Sequence, residues 1–195
     1  MHGLINRSIQ SYVCDCYGAE VWMSAARAAG LETADFEAML TYEDELTPRI
    51  LDGIAQVLER PRSEIMEDLG TYLVSHPDFE PARRLLRFGG VDFEDFLHSL
   101  DDLPDRARLA VSDLILPHLE LRKHAKGQFS LICEPSIAGY SHVVMGVLRV
   151  MADDYGTLAM LESSGCGHGI ESLSIRVVEA SYAQGRDFRL GAQAG

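Results

Sequence analysis

Several things are missing from this 195-residue chain, and each absence closes off a class of function. No run approaches the 18 or so consecutive apolar residues of a membrane-spanning helix. The first residues, MHGLINRSIQSYVCDCYG, do not make a signal peptide, because Asn6, Arg7 and Gln10 interrupt the apolar positions. A cytoplasmic chain is the expectation. Positive charge is scarce: 17 Lys and Arg against 30 Asp and Glu leave a formal charge of -13. Nucleic-acid binders need a basic face, and the nearest basic run, residues 122–126 (RKHAK) beside Glu120, reads as a solvated strand edge or turn. An acidic surface instead suits solubility and a basic patch on a protein partner.

Cysteine is also sparse. Cys14, Cys16, Cys133 and Cys166 form no disulfide framework in a cytoplasmic chain of this size. Cys14 and Cys16 stand two apart on a helix and point to different sides, while Cys133, Cys166 and His168 are one ligand short of a closed zinc site. There is no glycine-rich phosphate loop, zinc-protease motif or nucleophile elbow, so nothing marks the chain as an enzyme. Internal repeats and low-complexity linkers are absent too, and one domain over residues 1–183 with a tail at 184–195 is the simplest organisation.

What is there is ordinary globular composition, 47% apolar with a mean hydropathy of -0.02, arranged in two periods. Leu4, Ile5, Ile9, Tyr12 and Val13 make an amphipathic first helix ending near Gly18, and residues 19–29 make a second. Thr33 is placed to cap a third helix over DFEAML. Thr47-Pro48 starts a fourth, carrying Ile50, Leu51, Ile54 and Leu58, and Pro61 opens a fifth through Leu69. Phe93, Phe96, Leu97, Leu100 and Leu103 then recur on one helical face. Beyond Pro117 the pattern turns to strands at residues 118–123 and 129–133, a helix at 141–155, and strands at 157–161 and 172–178. The fold class is α+β, a helical part followed by a four-stranded antiparallel sheet with one long inserted helix.

Three stretches carry a resemblance. MHGLIN opens the chain, residues 69–103 read LGTYLVSHPDFEPARRLLRFGGVDFEDFLHSLDDL, and VVMGVLRVMADDYG lies before the last strands. Together they resemble the haem nitric-oxide/oxygen-binding (H-NOX) family and the haem domain of soluble guanylate cyclase. The resemblance implies haem b as cofactor, nitric oxide as ligand, and a signalling partner such as a diguanylate cyclase or a histidine kinase. A homodimer is a further assembly it allows, while nucleic acid and membrane are not partners.

The same alignment puts Pro104 where the family carries its proximal histidine, and Pro117 where it packs a proline against the macrocycle. The Tyr-x-Ser-x-Arg that clamps the propionates falls on Cys133, Pro135 and Ile137, or, one residue on, Glu134, Ser136 and Ala138. Neither register offers a guanidinium for bidentate carboxylate recognition. His142 maps to a distal-pocket tyrosine and lies above Met145 and Gly146 at i+3 and i+4. A glycine there would leave space for an imidazole that ligates haem iron from the distal side or holds a bound molecule. The alternative is a histidine packed into a smaller, collapsed core. Ile5 and Ile9 would line the same cavity. Of the other histidines, His98 shares a side with Glu94, Asp95, Asp101 and Asp102 and reads as solvated. His76 ends a helix, His118 and His124 flank a strand, His168 sits in a glycine turn and His2 lies beside helix one. Two readings follow: a non-catalytic haem sensor that regulates a separate protein, and a haem-free interaction module whose pocket is filled by side chains or a small apolar ligand.

Overall fold

The structure, a computed structural model, describes residues 1–31, 34–134, 137–165 and 169–186. Four helices come first: α1 (Gly3–Tyr17), α2 (Ala19–Ala28), α3 (Leu46–Leu58) and α4 (Arg62–Ser75). His2 caps α1, its Nδ1 accepting from the Leu4 amide at 3.1 Å. The predicted third helix over DFEAML does not form, and its cap, Thr33, lies outside the described residues. The backbone there is spent on α1 and α2 instead. Trp22 Nε1 donates to Ala34 O at 2.7 Å, Phe36 N donates to Gln10 Oε1, and Gly3 N donates to Leu40 O at 2.7 Å. Phe36 is buried edge-on between Trp22 and Tyr42, so the apolar residue that suggested a helix plugs the lobe as a loop.

After a 3₁₀ turn at Pro77–Phe79 come α5 (Glu80–Arg87), α6 (Phe93–His98) and α7 (Leu103–Ala110). The single apolar face read from Phe93 to Leu103 is therefore broken over residues 99–102. Pro104 explains the break: it lacks an amide hydrogen and its ring collides with the carbonyl four residues earlier, so it fits only the first turn of a new helix. The sheet follows: β1 (His118–Ala125), β2 (Gln128–Glu134), β3 (Leu158–Gly165) and β4 (Glu171–Glu179), with α8 (Tyr140–Tyr155) between β2 and β3. Strand order is β1-β2-β4-β3 and every pairing is antiparallel, with Cys133 opposite Leu119 on one side and Glu171 on the other. The α+β architecture expected from the sequence is the one observed.

Helices α4 and α8 form the seam between two apolar cores. One core gathers α1, α2, α3 and α4; the other gathers α6, α8 and the sheet. At the crossing, a Cβ on Gly70 would overlap the Val143 carbonyl and one on Gly146 would overlap the Glu67 carbonyl. Only glycine lets the two backbones meet so closely. Among the described residues no helix is long and apolar enough to cross a membrane.

Candidate cofactor pocket

The apolar face of α6 points at α8 and the sheet. Phe96, Leu97 and Leu100 meet Leu148 and Met151 of α8 and Cys133 of β2 in one cluster, and each of the six exposes 1% or less of its surface. A side chain facing a haem-sized void would present surface to water within it. These present none to speak of, so the interior along α6 is closed by side chains.

The sequence-nominated residues are dispersed around that interior. Pro104 and Pro117 are half-buried, the first in the opening turn of α7, the second in the connection before β1. Ile9 is buried in the helical core and Ile5 packs half-buried against it. Gly146 is buried, but the space left by its missing side chain is taken by the Glu67 carbonyl and Thr71 amide of α4, not by an imidazole. His142 is half-buried in the first turn of α8, its amide bonded to Gly139 O at 2.9 Å and its ring beside Gly139, whose own neighbour is Met66. His98 is exposed, as its acidic neighbours predict, with its ring edge-on to Phe129. Among the described residues no three of His, Cys, Asp or Glu are grouped to hold a metal ion; Cys166 and His168 lie outside them.

The propionate-clamp positions have become core. Cys133 is fully buried, and desolvation with the nearby Glu171 charge pushes its thiol up to about 12. Ile137 is buried in the helical core, while Pro135 and Ser136 lie outside the described residues. Next to them the chain supplies a carboxylate of its own. Glu171, first residue of β4, accepts from the Gly139 amide at 2.5 Å and the Ser141 amide at 2.8 Å. It thereby satisfies two of the free amides at the start of α8 and places negative charge at the positive end of that helix.

At the other end of α8, Asp154 is buried and takes a two-pronged contact from Arg83 of α5, both N–O distances 2.7 Å. Arg186 adds its amide to the Asp154 carbonyl at 2.9 Å and its Nε at 3.7 Å from Oδ1. Sequence reasoning missed Glu171 and Asp154. Asp154 left a trace, a carboxylate one turn beyond Met151 on an apolar helix; Glu171 left none, because its partners are 30 residues away.

A haem does not fit these residues. Pro104 has no donor atom, Cys133 and Ile137 offer no cation to a propionate, the nest beside them is held by Glu171, and the face of α6 is closed by Leu148 and Met151.

Comparison with known proteins places this departure within a family. The Haem-NO-binding family model matches residues 2–162. Soluble guanylate cyclase gcy-35 of Caenorhabditis elegans is 29% identical over 155 residues, 78% of this chain. Soluble guanylate cyclase gcy-31 of the same animal is 23% identical over 154 residues, 79% of this chain. The chain spans about a fifth of each of these relatives, 22% in both cases. Among solved structures, the Fe(II) unliganded H-NOX protein from K. algicida superposes with a TM-score of 0.79 at 17% identity, covering 94% of this chain and all of that one. The Fe(II)NO H-NOX protein from S. oneidensis gives 0.71 at 18%, covering 91% of this chain and 99% of that one. The family match, spanning most of the chain, and the shared fold make this a member of the haem-NO-binding, or H-NOX, family.

Proposed function

We propose that this chain is a non-catalytic regulatory domain that works without haem and acts by contact on a separate signalling protein. The observation that carries the reading is the closure of α6 against α8 and β2, where Phe96, Leu97, Leu100, Leu148, Met151 and Cys133 fill the interior. A cofactor-free domain must hold this fold with side chains, and the Glu171 and Asp154 contacts at the two ends of α8 do so. The curated relatives are named as soluble guanylate cyclases and the chain spans about a fifth of each, so a nucleotide-cyclase or kinase activity is the kind such a domain would regulate. A diguanylate cyclase or a histidine kinase is the partner class.

The test is haemin titration of the purified chain, followed in the Soret region, beside a His142→Ala variant. The expected result is no Soret band beyond that of free haemin and no difference between the two proteins, while partner activity responds to the chain with or without haemin. A sharp Soret band that shifts with nitric oxide and is lost in His142→Ala would overturn the proposal in favour of distal iron ligation.

A further inference from the structure

The end of α5, the Gly89-Gly90 turn and the outer face of α6 enclose an open cleft of about 720 Å³, lined among others by Phe88, Val91, Asp95, His98 and Ser99. Phe88 is 71% exposed and Val91 89% exposed, three residues apart. A floppy loop with exposed apolar residues would say little. This loop is held firmly. Tyr155 of α8 donates to Gly90 O at 2.9 Å, Gly89 N donates to Leu86 O at 2.9 Å, and Arg106 of α7 donates to Leu85 O at 3.2 Å and Ser99 O at 2.9 Å. Both glycines lie flat on α6, where any side chain would strike Ser99 or Asp95. The backbone is pinned while its two large apolar side chains stand in solvent, the arrangement of a pre-organised contact surface.

Charge names the occupant. Residues 88–105 contain six carboxylates and neither lysine nor arginine. Asp95 lines the cleft and Asp92 is exposed beside it, while Arg87, which also lines the cleft, stacks its guanidinium 3.6 Å over the Tyr155 ring. We propose that this cleft docks a basic segment of the partner protein that carries apolar side chains between its lysines and arginines. Its apolar residues cover Phe88 and Val91, and its cations face Asp92 and Asp95. The proposal rests on the reading that the domain acts by contact, and it adds where and with what chemistry. Tyr155 joins the cleft to the end of α8, one residue from Asp154, so occupancy of the loop bears directly on the helix that spans both cores.

The test uses the full chain, isotope-labelled for amide NMR, titrated with a synthetic amphipathic leucine-lysine peptide and with the same peptide carrying glutamate for lysine. Shifts confined to residues 87–99, binding that weakens with salt, and no response to the acidic peptide are expected. The Phe88→Ser/Val91→Ser double variant, whose native side chains are mostly exposed, keeps its melting temperature and loses about tenfold or more in affinity. Asp95→Asn lowers affinity less and flattens the salt dependence. Shifts on another face, or unchanged affinity in the double variant, overturn the docking surface while leaving the contact reading intact. Self-association abolished by the double variant overturns it too, assigning the face to a second copy of this chain. A partner enzyme indifferent to the chain would instead sink the contact reading, whatever the peptide does.

Discussion

Replacing Arg83 with alanine is the sharpest single test of how α8 is held. Asp154 is 2% exposed at its side chain, and Arg83 meets both of its oxygens at 2.7 Å. Removing the guanidinium leaves a carboxylate in the core whose other ion-pair partner among the described residues is Arg186, with Nε 3.7 Å away on a side chain 65% exposed. Breaking a buried pair by deleting one partner costs about 3–5 kcal/mol, because the stranded charge keeps its desolvation penalty. Arg186 offsets part of that, which puts Arg83→Ala near the lower end, at about 3 kcal/mol. For a chain of this length that is a fall in melting temperature of about 6–12 °C. Urea unfolding should show a lower midpoint with an unchanged slope, since the same surface is exposed on unfolding. The reasoning makes an asymmetric claim as well. Arg83→Leu/Asp154→Leu removes both charges and should recover most of the loss, whereas either single change should not. A loss under about 1 kcal/mol in Arg83→Ala, or a double variant no better than the singles, would show that the pair is ornamental and that α5 is held by apolar contact alone.

Glu171→Ala should cost about 1–2 kcal/mol in urea unfolding and speed hydrogen exchange at the Gly139 and Ser141 amides, with Glu171→Gln closer to the parent because it keeps one acceptor. Gly146→Ala forces a methyl onto the Glu67 carbonyl, so α4 and α8 must separate; a loss of about 3 kcal/mol and broadened amide signals along both helices are expected. The Cys133 thiol should resist a thiol reagent in the native protein while exposed Cys16 reacts, and both should react in denaturant. Because the folded state holds Cys133 protonated up to about 12, the unfolded chain loses that proton first as pH rises through its ordinary value near 9. Cys133 should therefore contribute a fall in stability of about 1.4 kcal/mol per pH unit above that point, added to that of the other raised thiols and phenols, and Cys133→Ala should make the slope shallower by that amount.

The sequence made the strands and the long helices legible because their apolar periods extend over many residues: β1, β2, α3, α4 and α8 lie within a few residues of where Ile54, Leu131 and Leu148 put them. The misreadings were local. Phe36 looked like the start of a helical stripe because a single buried aromatic cannot declare whether it lies on a helix or on a loop pinned from elsewhere, as Trp22 and Gln10 pin this one. The apolar period from Phe93 runs on to Leu103 because Leu103 does pack against the same core; the cost of Pro104 to the preceding turn outweighs that periodicity. Gly146 admits two readings from the sequence. Its lack of a side chain marks a close approach, and the sequence cannot say whether the approaching body is a ligand or, as here, the backbone of α4.

These details converge on α8. Its first turn is closed by Glu171, its middle lies backbone to backbone on α4, and its last turn is locked to α5 by Asp154. Among the described residues, Pro104, Cys133 and Ile137 offer no group to grip a porphyrin, and the helix is fixed at three points by the chain's own groups. The three fixings are of different kinds: a carboxylate on helix amides, a close backbone approach at Gly70 and Gly146, and a buried ion pair. Loosening any one leaves the other two in place. The exposed loop at Phe88 and Val91 lies at the Asp154 end of that helix, bonded to it through Tyr155. A partner that grips this loop therefore pulls on the end of α8 secured by charge, and Arg83→Ala should change the affinity of that partner as well as the stability of the fold.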